Sequence, residues 1–195
     1  MSNRAAPWPG DGLVLAGPGG LPMPSPAGNR LAGLLGLRSI ERPVAVADDP
    51  TALLTALAAE PPGWLLPLGL DPGQQLDGCG CWAEALAAWQ QPVLLLLPGD
   101  GSLPSGCARA YSALLQQGGV ACLGLVQVGG LSAPQPGRAG LTWLGWLDPA
   151  AADGETIQEL ALALRLRILL RWRALSAARP DPPTLDRADA TDPPA

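Results

Sequence analysis

Three aspartates, a close cysteine pair and one glycine-rich loop are the places where residue type and spacing in this 195-residue chain could do chemistry. Asp71, Asp77 and Asp100 each stand beside glycine or proline, in Leu70-Asp71-Pro72, Asp77-Gly78 and Gly99-Asp100-Gly101. Two carboxylates converging from such loops could hold a divalent cation or divide into acid and base, which makes Asp71 the candidate catalytic residue and Asp71 and Asp100 the candidate metal ligands. Aspartate beside glycine or proline is also ordinary turn chemistry, and that is its commoner use. Cys79-Gly80-Cys81 stands just before a helical pattern, whose N-terminus favours thiolate. No histidine and no second close cysteine pair completes a zinc set, although Cys107 could approach from a neighbouring loop; small residues packing a tight turn are the preferred reading. The third place is the stretch from Gly17 to Arg30. Gly17, Gly19, Gly20 and Gly28 allow close approach of backbone, and Ser25, Asn29 and Arg30 add side-chain donors where a helix begins, an arrangement suited to an anion or nucleotide phosphate. The plainer alternative is a proline-stiffened connection.

What the chain lacks narrows this chemistry. All twelve basic residues are arginine and histidine is absent, so no ε-amino group and no imidazole is available as a catalyst. A formal charge of −5 repels a phosphate backbone, and no arginine stripe interleaves with aromatics, so nucleic acid is not expected as a partner while a small-molecule or anionic ligand remains open. The first residues lack the apolar core of a signal peptide, and no run approaches the ~18–20 apolar residues of a spanning helix. A cytoplasmic protein with no membrane segment is the expectation, and its four cysteines are expected to be free thiols.

The elements that must position these residues alternate. Apolar runs at Gly12–Gly17, Pro43–Ala47, Trp64–Leu70, Pro92–Leu97, Val120–Val128 and Leu141–Leu147 read as strands, and the uninterrupted Pro92–Leu97 run belongs at the centre of a sheet covered on both faces. Helical spacings follow them at Ala27–Leu37, after the caps Asp48-Asp49-Pro50, at Trp82–Trp89, at Ser105–Gln117 and at Asp153–Leu175. The segment from Asp71 to Cys81 reads as an irregular loop. Such alternation predicts a three-layer α/β/α domain over residues 11–175, with a mainly parallel sheet of about six strands and a Rossmann-like or P-loop-like architecture. Residues 1–10 read as a leader and 176–195 as a disordered, proline-rich acidic tail. Ligands of such sheets bind beyond the carboxyl ends of the strands, so the loops at 17–26, 71–81, 98–104 and 127–140 are the ones to inspect.

The run Cys81-Trp-Ala-Glu-Ala-Leu-Ala-Ala-Trp-Gln-Gln-Pro-Val-Leu-Leu-Leu-Leu-Pro98, followed by Ala110-Tyr-Ser-Ala-Leu-Leu-Gln-Gln-Gly-Gly-Val120, Leu123-Gly-Leu-Val126 and Leu144-Gly-Trp-Leu147, resembles the second half of dethiobiotin synthetases and of the related cobyrinic and cobyric acid synthases. The resemblance covers roughly residues 80–150. It implies a P-loop fold, a nucleotide with Mg²⁺, and an ATP-dependent ligase or transferase activity. The first half departs from that pattern where the family wraps phosphates with Gly-Lys-Thr: Gly28-Asn29-Arg30 replaces the lysine by asparagine and the magnesium-binding hydroxyl by arginine, and nearby prolines remove N–H donors. The family's acidic motif falls at Asp71 and its base-reading asparagine at Gln127 or Val128.

Together these readings predict a diverged dethiobiotin synthetase-like scaffold without a working phosphate loop, serving as a non-catalytic binding or regulatory protein. One alternative is an active ligase-type enzyme using Asn29, Arg30 and Asp71. Another is an assembly module, a homodimer formed through the 153–175 helix, which is apolar almost all round with Arg165, Arg167, Arg171 and Arg173 scattered over it.

Overall fold

The computed structural model describes residues 12–20, 25–99, 106–130, 142–147 and 155–177. Six parallel strands form one sheet: β1 (Gly12–Ala16), β2 (Arg38–Ser39), β3 (Trp64–Pro67), β6 (Pro92–Pro98), β7 (Ala121–Val128) and β8 (Trp143–Leu147). Their order is β2-β3-β1-β6-β7-β8, and a separate antiparallel ribbon pairs β4 (Gln75–Leu76) with β5 (Gly80–Cys81). The helices are α1 (Ser25–Leu35), α2 (Pro50–Ala58), α3 (Trp82–Ala88), α4 (Cys107–Gln117) and α5 (Glu155–Ala177).

Strand periodicity divides the core between the two faces. Leu13, Leu15, Leu94 and Leu96 point to one side, where Leu31 and Leu35 of α1 and Leu160 and Leu164 of α5 cover them. Val14, Ala16, Val93 and Leu95 point to the other, against Leu54 and Leu57 of α2, Trp82 and Leu86 of α3 and Leu115 of α4. The three-layer α/β/α, Rossmann-like arrangement expected from the sequence is therefore present. β6, buried along all but its last residue, lies centrally between β1 and β7.

Two local expectations fail for identifiable reasons. Pro43–Ala47 is not a strand: among these residues only Val44 is buried, Val46 is exposed, and the Asp48 carboxylate accepts the Ala45 N–H at 2.9 Å to close a turn. The sheet edge is instead the two-residue Arg38–Ser39, paired with Trp64–Leu65. Apolar letters in Pro-Val-Ala-Val-Ala bring too little bulk to compel burial. The 71–81 segment is no irregular loop, because Asp77-Gly78 turns the β4–β5 hairpin. In α3, Trp82, Ala85 and Leu86 are buried, while Trp89, which caps its end, is exposed. The proposed leader, residues 178–195 of the proline-rich tail, the Asp153 cap and Asp100 lie outside the described residues, while Ser176 and Ala177, expected in the tail, are the last residues of α5. Among the described residues no helix is long and apolar enough to cross a membrane.

Candidate functional site

The chain leaves β1 toward α1 on one face, but leaves β3 and β6 toward α3 and α4 on the other. Connections that part in this way open a crevice at the carboxyl end of the strand between them. Two clefts lie there, and both touch Gly69, which follows β3.

The first cleft, of about 680 Å³, is lined by Gly19 and Gly20 after β1, by Gly69, Asp71 and Gln74 after β3, and by Tyr111 of α4 among others. Pro18–Gly20 forms a single 3₁₀ turn in which the Gly20 N–H donates to the Gly17 carbonyl at 3.1 Å. Gly20 has a φ of 74°, and a Cβ there would stand 2.8 Å from the Gly69 carbonyl oxygen. Glycine is thus required on two counts.

Asp71 joins the three walls. Its Oδ2 accepts the Gly19 N–H at 2.8 Å and the Tyr111 hydroxyl, and its Oδ1 accepts the Gly73 N–H at 2.9 Å. A carboxylate offers about four lone-pair directions, so these donors leave roughly one. Partial burial, first, and the adjoining Asp71 carboxylate, next, push the Tyr111 phenol above its usual range, so it stays a protonated donor. Leu70, Ala110 and Leu114 complete the wall with apolar surface, and Asp71 carries the only formal charge among the described lining residues.

The second cleft, of about 530 Å³, lies beside the edge strand and is lined by Gly28 and Asn29 of α1, residues 39–44 after β2, and the end of β3. Arg42 on its rim is paired with Asp48 at 2.7 Å. The residues expected to act together in the 17–30 loop are therefore divided. Gly19 and Gly20 face Asp71, whereas Gly28 and Asn29 face the other cleft; Gly17 is buried, Arg30 is an exposed residue of α1, and Ser25 begins that helix.

Gln127 belongs to neither cleft. It is half-buried near the end of β7, where its Nε2 donates to the Gly129 carbonyl at 3.0 Å and Trp146 Nε1 donates to the same oxygen at 2.8 Å. Asp77 is exposed at the hairpin turn. Cys79 is exposed there too, and Cys81 is half-buried at the start of α3, where its N–H donates to Glu84 at 3.0 Å. All four cysteines are free thiols, and burial raises the Cys122 thiol above its usual range. Among the described residues no cluster of three or more histidine, cysteine, aspartate or glutamate side chains could hold a metal ion.

Tyr111 is the cleft side chain that the helical pattern concealed, since its spacing with Leu114 and Leu115 suggests core. Of these only Leu115 is buried; Ala110, Tyr111 and Leu114 turn toward the cleft. The chain's sole tyrosine, with a polar end that seeks a partner, was the available signal.

The nucleotide and Mg²⁺ that the family resemblance implies do not fit the first cleft. No arginine lines it among the described residues, and its one carboxylate is engaged by loop donors. Comparison with known proteins finds no matching family model and no matching curated protein.

Proposed function

We propose that this chain is a non-catalytic small-molecule-binding protein, a diverged relative of the dethiobiotin synthetase group without a working phosphate loop, whose ligand occupies the Asp71–Tyr111 cleft. The observation that carries this reading is the threefold hold on Asp71: the carboxylate expected to serve as metal ligand or base ties three chain segments together instead. Asn29 lining a different cleft from Asp71 supports it against the ligase alternative, which needs the two side by side. In the second cleft, Arg42 is already paired with Asp48, so that cleft offers an anion little more. A cytoplasmic location belongs to the same reading, in keeping with four free thiols.

A thermal-shift screen tests it. Nucleotides with Mg²⁺ are expected to leave the melting temperature unchanged, and some members of a small-molecule set to raise it. Stabilisation by Mg²⁺-nucleotide accompanied by phosphate release overturns the reading, as does a screen in which no compound shifts the transition.

Self-association through α5 is favoured by a separate observation. Opposite the buried Ile157, Leu160, Leu164 and Ile168, the helix exposes Leu162, Leu166, Leu169 and Leu170, a second apolar stripe at helical spacing. Sedimentation of the wild type as a dimer, and of Leu166→Glu as a monomer with an unchanged melting temperature, is the expected outcome. A monomeric wild type at high micromolar concentration contradicts it.

A further inference from the structure

Resting on the ligand-cleft reading, we infer that the Asp71–Tyr111 cleft selects an organic cation: a primary ammonium group carried on a compact apolar or aromatic body.

The hydrogen-bonding groups left open in the cleft favour a cation. Three donors that could have welcomed an anion, the N–H groups of Gly19 and Gly73 and the Tyr111 hydroxyl, point at Asp71 instead. The side groups left to a ligand are mostly acceptors: the remaining lone-pair direction of Asp71 and the phenolic oxygen of Tyr111, whose own hydrogen is engaged. Gln74, exposed at the rim, can donate or accept. An anion entering here would meet a carboxylate with no described arginine beside it, whereas an ammonium would complete the fourth contact of Asp71 and neutralise its charge.

The walls suit the remainder of such a ligand. Leu70, Ala110 and Leu114 supply apolar surface, and Tyr111 adds an aromatic ring to the lining. A volume of about 680 Å³ lies within the range of small-molecule sites. The protein's formal charge of −5 acts in the same direction by favouring approach of cations.

Calorimetric titration of the full chain with 2-phenylethylammonium, 2-phenylethanol and 3-phenylpropionate is the test. The ammonium is expected to bind at least about tenfold more tightly than the alcohol, as a charged hydrogen bond outweighs a neutral one, and the carboxylate is expected not to bind. Preference for the alcohol or the carboxylate overturns the inference while leaving the cleft a ligand site; silence from all three also overturns the inference, and the thermal-shift screen alone decides the ligand-site reading. Asp71→Asn should abolish the preference, but this change also loosens the loops. Gln74→Arg therefore serves as the second variant, because it places a competing guanidinium at the rim without removing any contact of Asp71. Ammonium affinity that falls at least about tenfold in Gln74→Arg, at unchanged melting temperature, supports the inference, and undiminished affinity overturns it.

Discussion

The carboxyl end of the sheet is built in two ways. Beside β1 and β3, side chains span an open cleft and a carboxylate ties the loops. Beside β6 and β7 the backbones close on each other: a Cβ at Gly99 would stand 2.2 Å from the Gly129 carbonyl oxygen, and one at Gly130 would stand 2.4 Å from that of Gly99. The Gly99 N–H donates to the Val128 carbonyl at 2.9 Å, and the Gly129 N–H to that of Leu147 at 2.7 Å, so ladder hydrogen bonding continues past the strands. A crevice opens where the outgoing chain divides between the two faces, and glycine contact seals the neighbouring position. Glycine enrichment alone does not mark a binding loop: the sealed end and the open end are both rich in it.

The sealed region should fail first when it is given a side chain. Gly99→Val forces its branched side chain into the Gly129 carbonyl and is expected to cost about 3 kcal/mol of stability in a denaturant titration. Any residual folded protein should bind its ligand as before, because neither Gly99 nor Gly129 lines the Asp71 cleft. Equal stability in variant and wild type would mean that the two loops do not touch.

Removing the tie at the open end should cost less in stability but more in function. Asp71→Ala leaves three donors to find water and is expected to lower stability by about 2 kcal/mol. It should also remove the ligand-induced thermal shift. Ligand binding that survives intact would separate the cleft from its supposed organiser.

Tyr111→Phe, the mildest change, deletes one charge-assisted hydrogen bond at a partly exposed site, an expected loss of about 1 kcal/mol. It also bears on pH. Because the phenol's folded pKa is raised, its contribution is fully present below the unfolded value of about 10 and is lost as pH rises from there toward the folded value. Wild-type stability should therefore fall above that pH more steeply than that of Tyr111→Phe. Parallel curves would show that Tyr111 titrates alike in both states.

The same contrast explains what was legible in the sequence. β1, β3 and β6 were readable because their leucines and valines are buried on both faces and the apolar run is continuous. The loops after β1 and β3 were readable as candidate sites, because the alternation of elements fixes which end of the sheet they occupy. Which loops meet was not readable. Asp71 and Tyr111 are 40 residues apart, and they meet because β3 and β6 flank β1 and send α3 and α4 to the same face. The β4–β5 hairpin carried a usable mark in Asp77-Gly78, but strands of two residues have no periodicity to show. Gly28 and Asn29, expected from the sequence to act beside Asp71, line the second cleft, whereas Asp71 lines the first.

The most direct measurement of the central claim, that Asp71 ties loops rather than performing catalysis, is phosphate release from ATP in the presence of Mg²⁺ by the wild type and by Asp71→Asn, at a temperature where both are folded. The two proteins are expected to show the same background rate. A wild-type rate well above that of Asp71→Asn would contradict the claim and restore Asp71 to a catalytic role.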